Sequence, residues 1–256
     1  MRWVTIIIGL LVAASLLHAE PPKLAGYKLV FDDEFDGDKV DTAKWNLRDP
    51  WELERNQELQ AYVPDAFEVK GGILHIRAEQ RPRKYAGKDR PYTSGMMTTL
   101  EKFAQKFGRF EVRCRVPKGK GLWPAAWLLP QPLAWPPEID ILEILCHEPG
   151  KIYMTHHWMD ADDKGKPKRG SDGGEWKGPD FSEDFHVFAV DWTPESIAWS
   201  VDGVERFRSI KHIPQKLPMY VLLNLAVGGD WPGKPDERTV FPATFDVDYV
   251  RVWAKE

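Results

Sequence analysis

Short runs of apolar residues recur along the chain, and in most of them every second position is apolar. This period of two is typical of β-strands with one buried face. Gly, Pro, Asn and Asp residues separate one run from the next. The runs that predict strands are 28–31, 67–69, 74–78, 108–116, 123–129, 139–145, 152–157, 186–192, 196–201, 220–226 and 245–253. No long amphipathic helix pattern competes with them, so the chain is predicted to be all-β.

The turn signals between these runs favour antiparallel pairing. Asp202-Gly203 separates two apolar runs by two residues, which is the signature of a tight β-hairpin. Residues 160–179, rich in Gly, Asp and Lys, are predicted to form a surface loop. No linker, repeat or compositional break interrupts residues 20–256. We therefore expect these residues to form one domain, a β-sandwich of two antiparallel sheets.

The first residues have the pattern of an export signal. Arg2 precedes an apolar run from Ile6 to Leu17, and the small residue Ala19 comes directly before a polar segment. This order of charge, apolar stretch and small residue predicts a signal peptide over residues 1–19. No other stretch has the length of a membrane helix. The mature protein is therefore expected to be secreted or periplasmic, without a membrane partner.

Composition narrows the classes of function. The 256 residues carry a formal charge of -4, and the Lys and Arg residues are scattered, so no basic patch for nucleic acid is predicted. The two cysteines, Cys114 and Cys146, are too few for a disulfide scaffold and are most simply buried thiols. The chain contains 12 Trp residues, which implies either a bulky core or flat platforms for a ligand such as a sugar ring.

Three acidic residues stand close together in the segment Glu138-Ile-Asp140-Ile-Leu-Glu143. Side chains of a regular strand alternate between faces, so Glu138 and Asp140 share one face and Glu143 falls on the other. A β-bulge at Leu142 would return Glu143 to the face of the other two acids. Three like charges on one face lower stability, and this cost is typical of a functional site.

This acidic segment resembles the signature of glycoside hydrolase family 16, in the bulged form found in its laminarinases and agarases. Further blocks resemble laminarinase-like members in the same order along the whole mature chain. They are 33–35 (Asp-Glu-Phe), 56–62 (Asn-Gln-Glu-Leu-Gln-Ala-Tyr), 92–95 (Tyr-Thr-Ser-Gly), 108–111 (Gly-Arg-Phe-Glu), 121–125 (Gly-Leu-Trp-Pro-Ala), 224–229 (Asn-Leu-Ala-Val-Gly-Gly), 231–233 (Trp-Pro-Gly) and 248–253 (Asp-Tyr-Val-Arg-Val-Trp).

The resemblance implies a concanavalin-like jelly roll with an open concave cleft, and retaining, endo-acting hydrolysis of a β-linked polysaccharide. In this family pattern Glu138 matches the nucleophile, Glu143 the general acid/base, and Asp140 the residue between them. The implied substrate is a β-1,3-glucan of the laminarin type. Mixed-linkage β-1,3-1,4-glucan and a galactan such as agarose remain alternatives, as does a non-catalytic β-glucan-binding protein on the same fold.

The resemblance also implies residues that line the cleft. Indole rings hold sugars by their apolar faces, and several polar positions match subsites of the family. The predicted substrate-binding residues are Asn56, Glu58, Trp123, Trp127, Trp135, His157, Asn224 and Trp231.

Catalysis in such a site is expected to need no cofactor. Family members commonly hold a structural Ca²⁺, and Glu34, Gly72 and Asp248 occupy the matching positions. The expected partner is a polysaccharide substrate, and the protein is expected to be a monomer.

The signal peptide can be tested on exported material. We expect mass spectrometry of the secreted protein to find an N-terminus close to Glu20, because signal peptidase cuts after small residues such as Ala19. A variant with Ile8→Asp, which interrupts the apolar run, should stay unexported. An exported protein that still begins at Met1 would contradict the prediction.

Overall fold

Two antiparallel sheets stacked face to face form the body of the protein over residues 21–256, which are the residues that the computed structural model describes. The predicted signal peptide over residues 1–19 lies outside them. The arrangement confirms the predicted all-β sandwich of the jelly-roll type. Among the described residues, no helix is long and apolar enough to cross a membrane.

The larger sheet, called the back sheet here, contains eight strands. They are β1 (Tyr27–Asp33), β3 (Phe67–Lys70), β4 (Ile73–Ala78), β9 (Gly108–Arg115), β14 (His186–Trp192), β15 (Ile197–Val201), β16 (Val204–Ser209) and β18 (Ala243–Lys255). Their order is β16-β15-β14-β9-β18-β4-β3, and β1 also pairs with β18. The C-terminal strand therefore lies in the interior of this sheet.

The second sheet, called the cleft sheet here, contains six strands. They are β8 (Met96–Thr98), β10 (Leu122–Pro130), β11 (Glu138–Ile144), β12 (Lys151–Ala161), β13 (Pro167–Lys177) and β17 (Met219–Val227). Their order is β13-β12-β11-β10-β17-β8, which places β11 near the middle.

Short elements complete the fold. Two small sheets pair β2 with β7 and β5 with β6, and one 3₁₀ helix precedes β3. Their bounds are β2 (Gln60–Tyr62), the 3₁₀ helix Pro64–Ala66, β5 (Arg83–Tyr85), β6 (Lys88–Arg90) and β7 (Tyr92–Ser94).

The core fills the space between the two sheets. Its largest fully buried rings include Trp192 and Trp199 on the back sheet, and Phe110, Phe188 and Phe245 pack with them. The cleft sheet contributes aliphatic side chains from alternate positions of β10, β11 and β17. Burial of this apolar surface is the main driving force for stacking the sheets. The two cysteines, on β9 and just after β11, are buried free thiols, as expected.

One prediction about the fold is wrong. Residues 160–179 were expected to form a loop, but β12 and β13 make a long hairpin over Lys151–Ala161 and Pro167–Lys177. The segment is poor in β-branched and apolar residues because β13 is an edge strand with many exposed positions. Pairing with β12 along its whole length, and not local propensity, makes it a strand.

Candidate active site

The three acidic residues lie on β11, where the strand contains the predicted bulge. On the β10 side Asp140 pairs with Trp127 and Leu142 with Ala126, so Ile141 is the extra residue between them. On the β12 side the register also shifts between Asp140 and Glu143. The bulge thus takes in Ile141 as well as the expected Leu142, and both side chains are buried in the core.

As a result, all three carboxyl groups line one open cleft of about 780 Å³ on the exposed face of the cleft sheet. The cleft crosses β12, β11, β10 and β17. All eight predicted substrate-binding residues also line it: Asn56, Glu58, Trp123, Trp127, Trp135, His157, Asn224 and Trp231. Their contact with a sugar stays a prediction.

Glu138, Asp140 and His157 form the centre of the site. The Nε2 atom of His157 lies 3.3 Å from Oδ2 of Asp140 and 4.0 Å from Oε1 of Glu138. The indole N–H of Trp135 donates a hydrogen bond to Oε2 of Glu138. Polar atoms of the three central side chains lie within 4.8 Å of one another, so two carboxyl groups and an imidazole share one small region of the cleft.

Burial sets the protonation states of two of the acids. It raises the pKa of Asp140 well above its ordinary value, and the charge of Glu138 and a hydrogen bond with it add to the rise. Burial likewise raises the pKa of Glu143 well above its ordinary value, with Asp140 and Glu138 adding to the rise. His157 and the Trp123 hydrogen bond oppose that rise. Glu143 is therefore poised to hold a proton, as a general acid must.

Aromatic side chains surround Glu143. The indole N–H of Trp123 donates to Oε1 of Glu143 over 3.1 Å. Trp231 meets Trp123 edge to face at 5.3 Å between ring centroids, and it meets Tyr153 in the same way at 4.6 Å. Trp231 is 41% exposed, so a flat apolar surface faces the cleft beside Glu143.

A buried polar network fixes the wall formed by β17 and β2. Trp127 donates its indole N–H to Oδ1 of Asn224 over 2.8 Å, and Nδ2 of Asn224 donates to the Tyr62 hydroxyl over 3.2 Å. The Tyr62 hydroxyl, the amide of Asn56 and that of Gln60 donate to the Glu58 carboxylate. Each member holds the next, so the plane of the Trp127 ring is fixed from behind.

Several residues that the sequence analysis missed also line the cleft. Trp51 stacks on Trp127 with 6.2 Å between centroids, and the Arg55 guanidinium lies 5.1 Å from the Trp51 ring. The guanidinium of Arg169, on β13, lies 4.5 Å from the centroid of Trp135. Trp51 is an aromatic residue in a polar segment, which is a detectable signal. No cleft position was predicted for Arg169, because its segment was predicted to form a surface loop.

The residues predicted to hold calcium all belong to the back sheet or to segments next to its strands. Glu34 follows β1, Gly72 is in the turn between β3 and β4, and Asp248 lies in a register shift of β18. The Glu34 carboxylate accepts two hydrogen bonds of 2.8 Å from Arg251, and Asp248 binds Arg113. Both carboxylates are therefore already paired with arginine side chains. The calcium site therefore stays a prediction.

Comparison with known proteins agrees with this geometry. A family model described as glycosyl hydrolases family 16 matches residues 55–251. The chain is 35% identical to a β-glucanase of Rhodothermus marinus, and the match covers 99% of this chain and 94% of that protein.

Solved structures are similar over nearly the whole chain. The catalytic domain of the Thermotoga maritima laminarinase is 35% identical with a TM-score of 0.80, covering 90% of this chain and 99% of that one. The endo-β-1,3-glucanase of Pyrococcus furiosus is 35% identical with a TM-score of 0.76, covering 89% and 94%.

The raised pKa of Glu143 predicts a pH-dependent cost in stability. The folded protein holds this proton more tightly than the unfolded chain, so stability is lost as the pH rises through the folded-state pKa. Glu143→Gln removes the ionisation. We expect the free energy of unfolding of this variant, relative to that of the wild type, to rise between about pH 4 and about pH 8. The rise should be about 1.4 kcal/mol for each unit by which folding raises the pKa.

Urea denaturation at the two pH values measures this difference. Glu195→Gln changes an exposed glutamate and serves as the control. An equal effect of Glu143→Gln at both pH values would contradict the assignment.

Proposed function

This chain belongs to glycosyl hydrolase family 16, and on that premise we propose that its cleft hydrolyses β-linked glucan within the chain, with β-1,3-glucan as the preferred substrate. The observation that carries the proposal is the placement of Glu138, Asp140 and Glu143 on one face of β11, in an open cleft lined with tryptophans. An open cleft admits a polymer at an internal position. Indole faces match the apolar faces of glucose rings.

In the first step the ionised Glu138 carboxylate attacks the anomeric carbon, and Glu143 gives its proton to the departing glycosidic oxygen. The bond from the anomeric carbon to that oxygen breaks as the bond to Glu138 forms, which leaves a glycosyl-enzyme intermediate. The raised pKa of Glu143 supports its role as the acid, because it keeps a proton available toward neutral pH.

In the second step Glu143, now ionised, removes a proton from water, and the water oxygen attacks the anomeric carbon. The bond to Glu138 breaks, and the product keeps the configuration of the substrate after two inversions. Both steps use side chains and water, and the proposal assigns no cofactor to catalysis.

Asp140 is proposed to orient the nucleophile. Because burial and the neighbouring Glu138 raise its pKa, the Asp140 carboxyl keeps its proton and donates a hydrogen bond to Glu138. The indole N–H of Trp135 and the imidazole of His157 also lie against the same carboxyl pair. Glu138 is thus held in one rotamer and aimed at the anomeric carbon, while its charge is partly balanced.

We also propose that the protein acts outside the cytoplasm, as a secreted or periplasmic monomer. The signal-like segment over residues 1–19 supports export. A polymer too large to cross a membrane is also best cut outside the cell.

A substrate panel tests the proposed specificity. We expect reducing ends to appear fastest with laminarin, more slowly with lichenan, and at background with agarose and carrageenan. Glu138→Ala is the control for contaminating activity. Faster release from agarose would favour the galactan alternative. Slower migration of the protein through a gel that contains laminarin, without release of reducing ends, would favour a binding protein.

Variants of the two glutamates separate their roles. Glu138→Ala should lower turnover by about 10³-fold or more, because the nucleophile is lost. Added azide can enter the vacated space and should yield a glycosyl azide of inverted configuration. Glu143→Ala should still cleave aryl glycosides whose leaving groups depart without a proton.

Asp140→Asn, which keeps the size of the side chain, should have a milder effect than either alanine variant. Proton NMR identifies the configuration of the products. Inversion by the wild-type enzyme, or a retained product from Glu138→Ala with azide, would contradict the assignment.

A further inference from the structure

The backbone of the catalytic strand is held from behind by a residue of the opposite sheet. Trp199 lies on β15 of the back sheet and is fully buried. Its indole N–H donates a hydrogen bond of 2.7 Å to the main-chain carbonyl of Asp140. The Asp140 carbonyl therefore points into the space between the sheets, while its side chain faces the cleft.

The position of this bond follows from the bulge. In a regular antiparallel strand a main-chain carbonyl accepts from a neighbouring strand. The register shift begins directly after Asp140 on both sides of β11, so the ladder is interrupted at this carbonyl. A buried carbonyl without a donor lowers stability, and Trp199 supplies the donor from the other layer.

Trp199 is itself held in one orientation. Its ring packs against Phe207 at 5.4 Å and against His156 at 6.3 Å between centroids. His156 is fully buried, and its Nε2 atom lies 3.0 Å from the hydroxyl oxygen of Ser209. The indole therefore acts as a rigid donor with a fixed direction.

We propose that Trp199 is a positioning residue for hydrolysis, which sets the relative placement of Glu138, Asp140 and Glu143 by fixing the Asp140 carbonyl. Glu138 lies two residues before the bond and Glu143 three residues after it, on opposite sides of the bulge. A shift of this carbonyl changes the direction in which both glutamates project. The inference rests on the proposed hydrolysis of β-glucan.

Trp192 provides a matched control. It is also fully buried on the back sheet, and its indole N–H donates over 3.1 Å to a main-chain carbonyl, that of Pro214. Its ring packs against Phe107 and Phe110. Trp192→Phe removes the same kind of hydrogen bond from the same core and leaves the hydrogen bond to the Asp140 carbonyl in place.

The experiment compares Trp199→Phe with Trp192→Phe on laminarin. Both variants should melt at a lower temperature than the wild type, since each leaves a buried carbonyl without a donor. Trp199→Phe should lower kcat by about 10- to 100-fold with KM nearly unchanged, because misplaced reacting groups slow the chemical step. Trp192→Phe should keep kcat within about twofold.

The pH profile gives a second readout that lost stability alone would not change. Glu143 is faced by Glu138 and Asp140 from β11, by His157 and Tyr153 from β12, and by two tryptophans, Trp123 and Trp231. Burial raises the pKa of Glu143, and the charges of Asp140 and Glu138 add to the rise. In Trp199→Phe the groups around Glu143 should pack less closely and admit water, which lowers the pKa of Glu143. The alkaline limb of the kcat profile should therefore move to lower pH.

A second variant covers the case in which Trp199→Phe does not fold. Replacing Trp199 with 3-benzothienylalanine keeps the bicyclic shape and removes the N–H donor alone, and the same fall in kcat is expected. The inference would be overturned if the wild type cleaves laminarin and the Trp199 variants have the same kcat and pH profile as Trp192→Phe.

If the wild type cleaves no glucan, the proposed function fails separately. The positioning role is then read from carbon NMR titration of isotope-labelled Glu143. Its midpoint should fall in either Trp199 variant and should stay unchanged in Trp192→Phe. An unchanged midpoint in all three variants would overturn the positioning role.

Discussion

One irregularity in one strand determines whether this protein has a catalytic site. In a regular β11, Glu143 would lie on the opposite face from Glu138 and Asp140, with its carboxyl between the sheets. The extra residue at Ile141 returns it to the cleft. Ile141 and Leu142 can take up the change because both bury apolar side chains in the core. The Asp140 carbonyl that the bulge turns out of the ladder is satisfied by Trp199.

The buried acids of the site lower the stability of the fold, and the stability of the rest of the structure offsets this loss. Two of the three acids have strongly raised pKa values because they are buried beside like charges. The surrounding donors reduce this cost without removing it, since Trp123, Trp135 and His157 each approach one of the carboxyls. A large core of two stacked sheets tolerates such a local loss of stability, which is typical of sites that tune acids for catalysis.

The walls of the cleft are built in different ways. On the β17 side a continuous chain of hydrogen bonds from Trp127 through Asn224 and Tyr62 reaches Glu58, so the wall is rigid. On the β13 side Arg169 stacks on the 43% exposed Trp135, which in turn binds Glu138. The second wall therefore links the rim of the cleft directly to the proposed nucleophile.

The sequence by itself determined the class of fold and the location of the acidic centre. A period of two with turn residues between the runs encodes strands, and the spacing of Glu138, Asp140 and Glu143 implied the bulge, because these are local properties of the chain. The tertiary structure decided that 167–177 is a strand, since an exposed edge strand has little apolar pattern of its own and depends on β12. It also placed Arg169 in the cleft and put arginines on Glu34 and Asp248. The bond from Trp199 to Asp140 joins residues 59 positions apart in different sheets. No local pattern encodes such a contact, because the donor for a displaced carbonyl is chosen by how the two sheets stack.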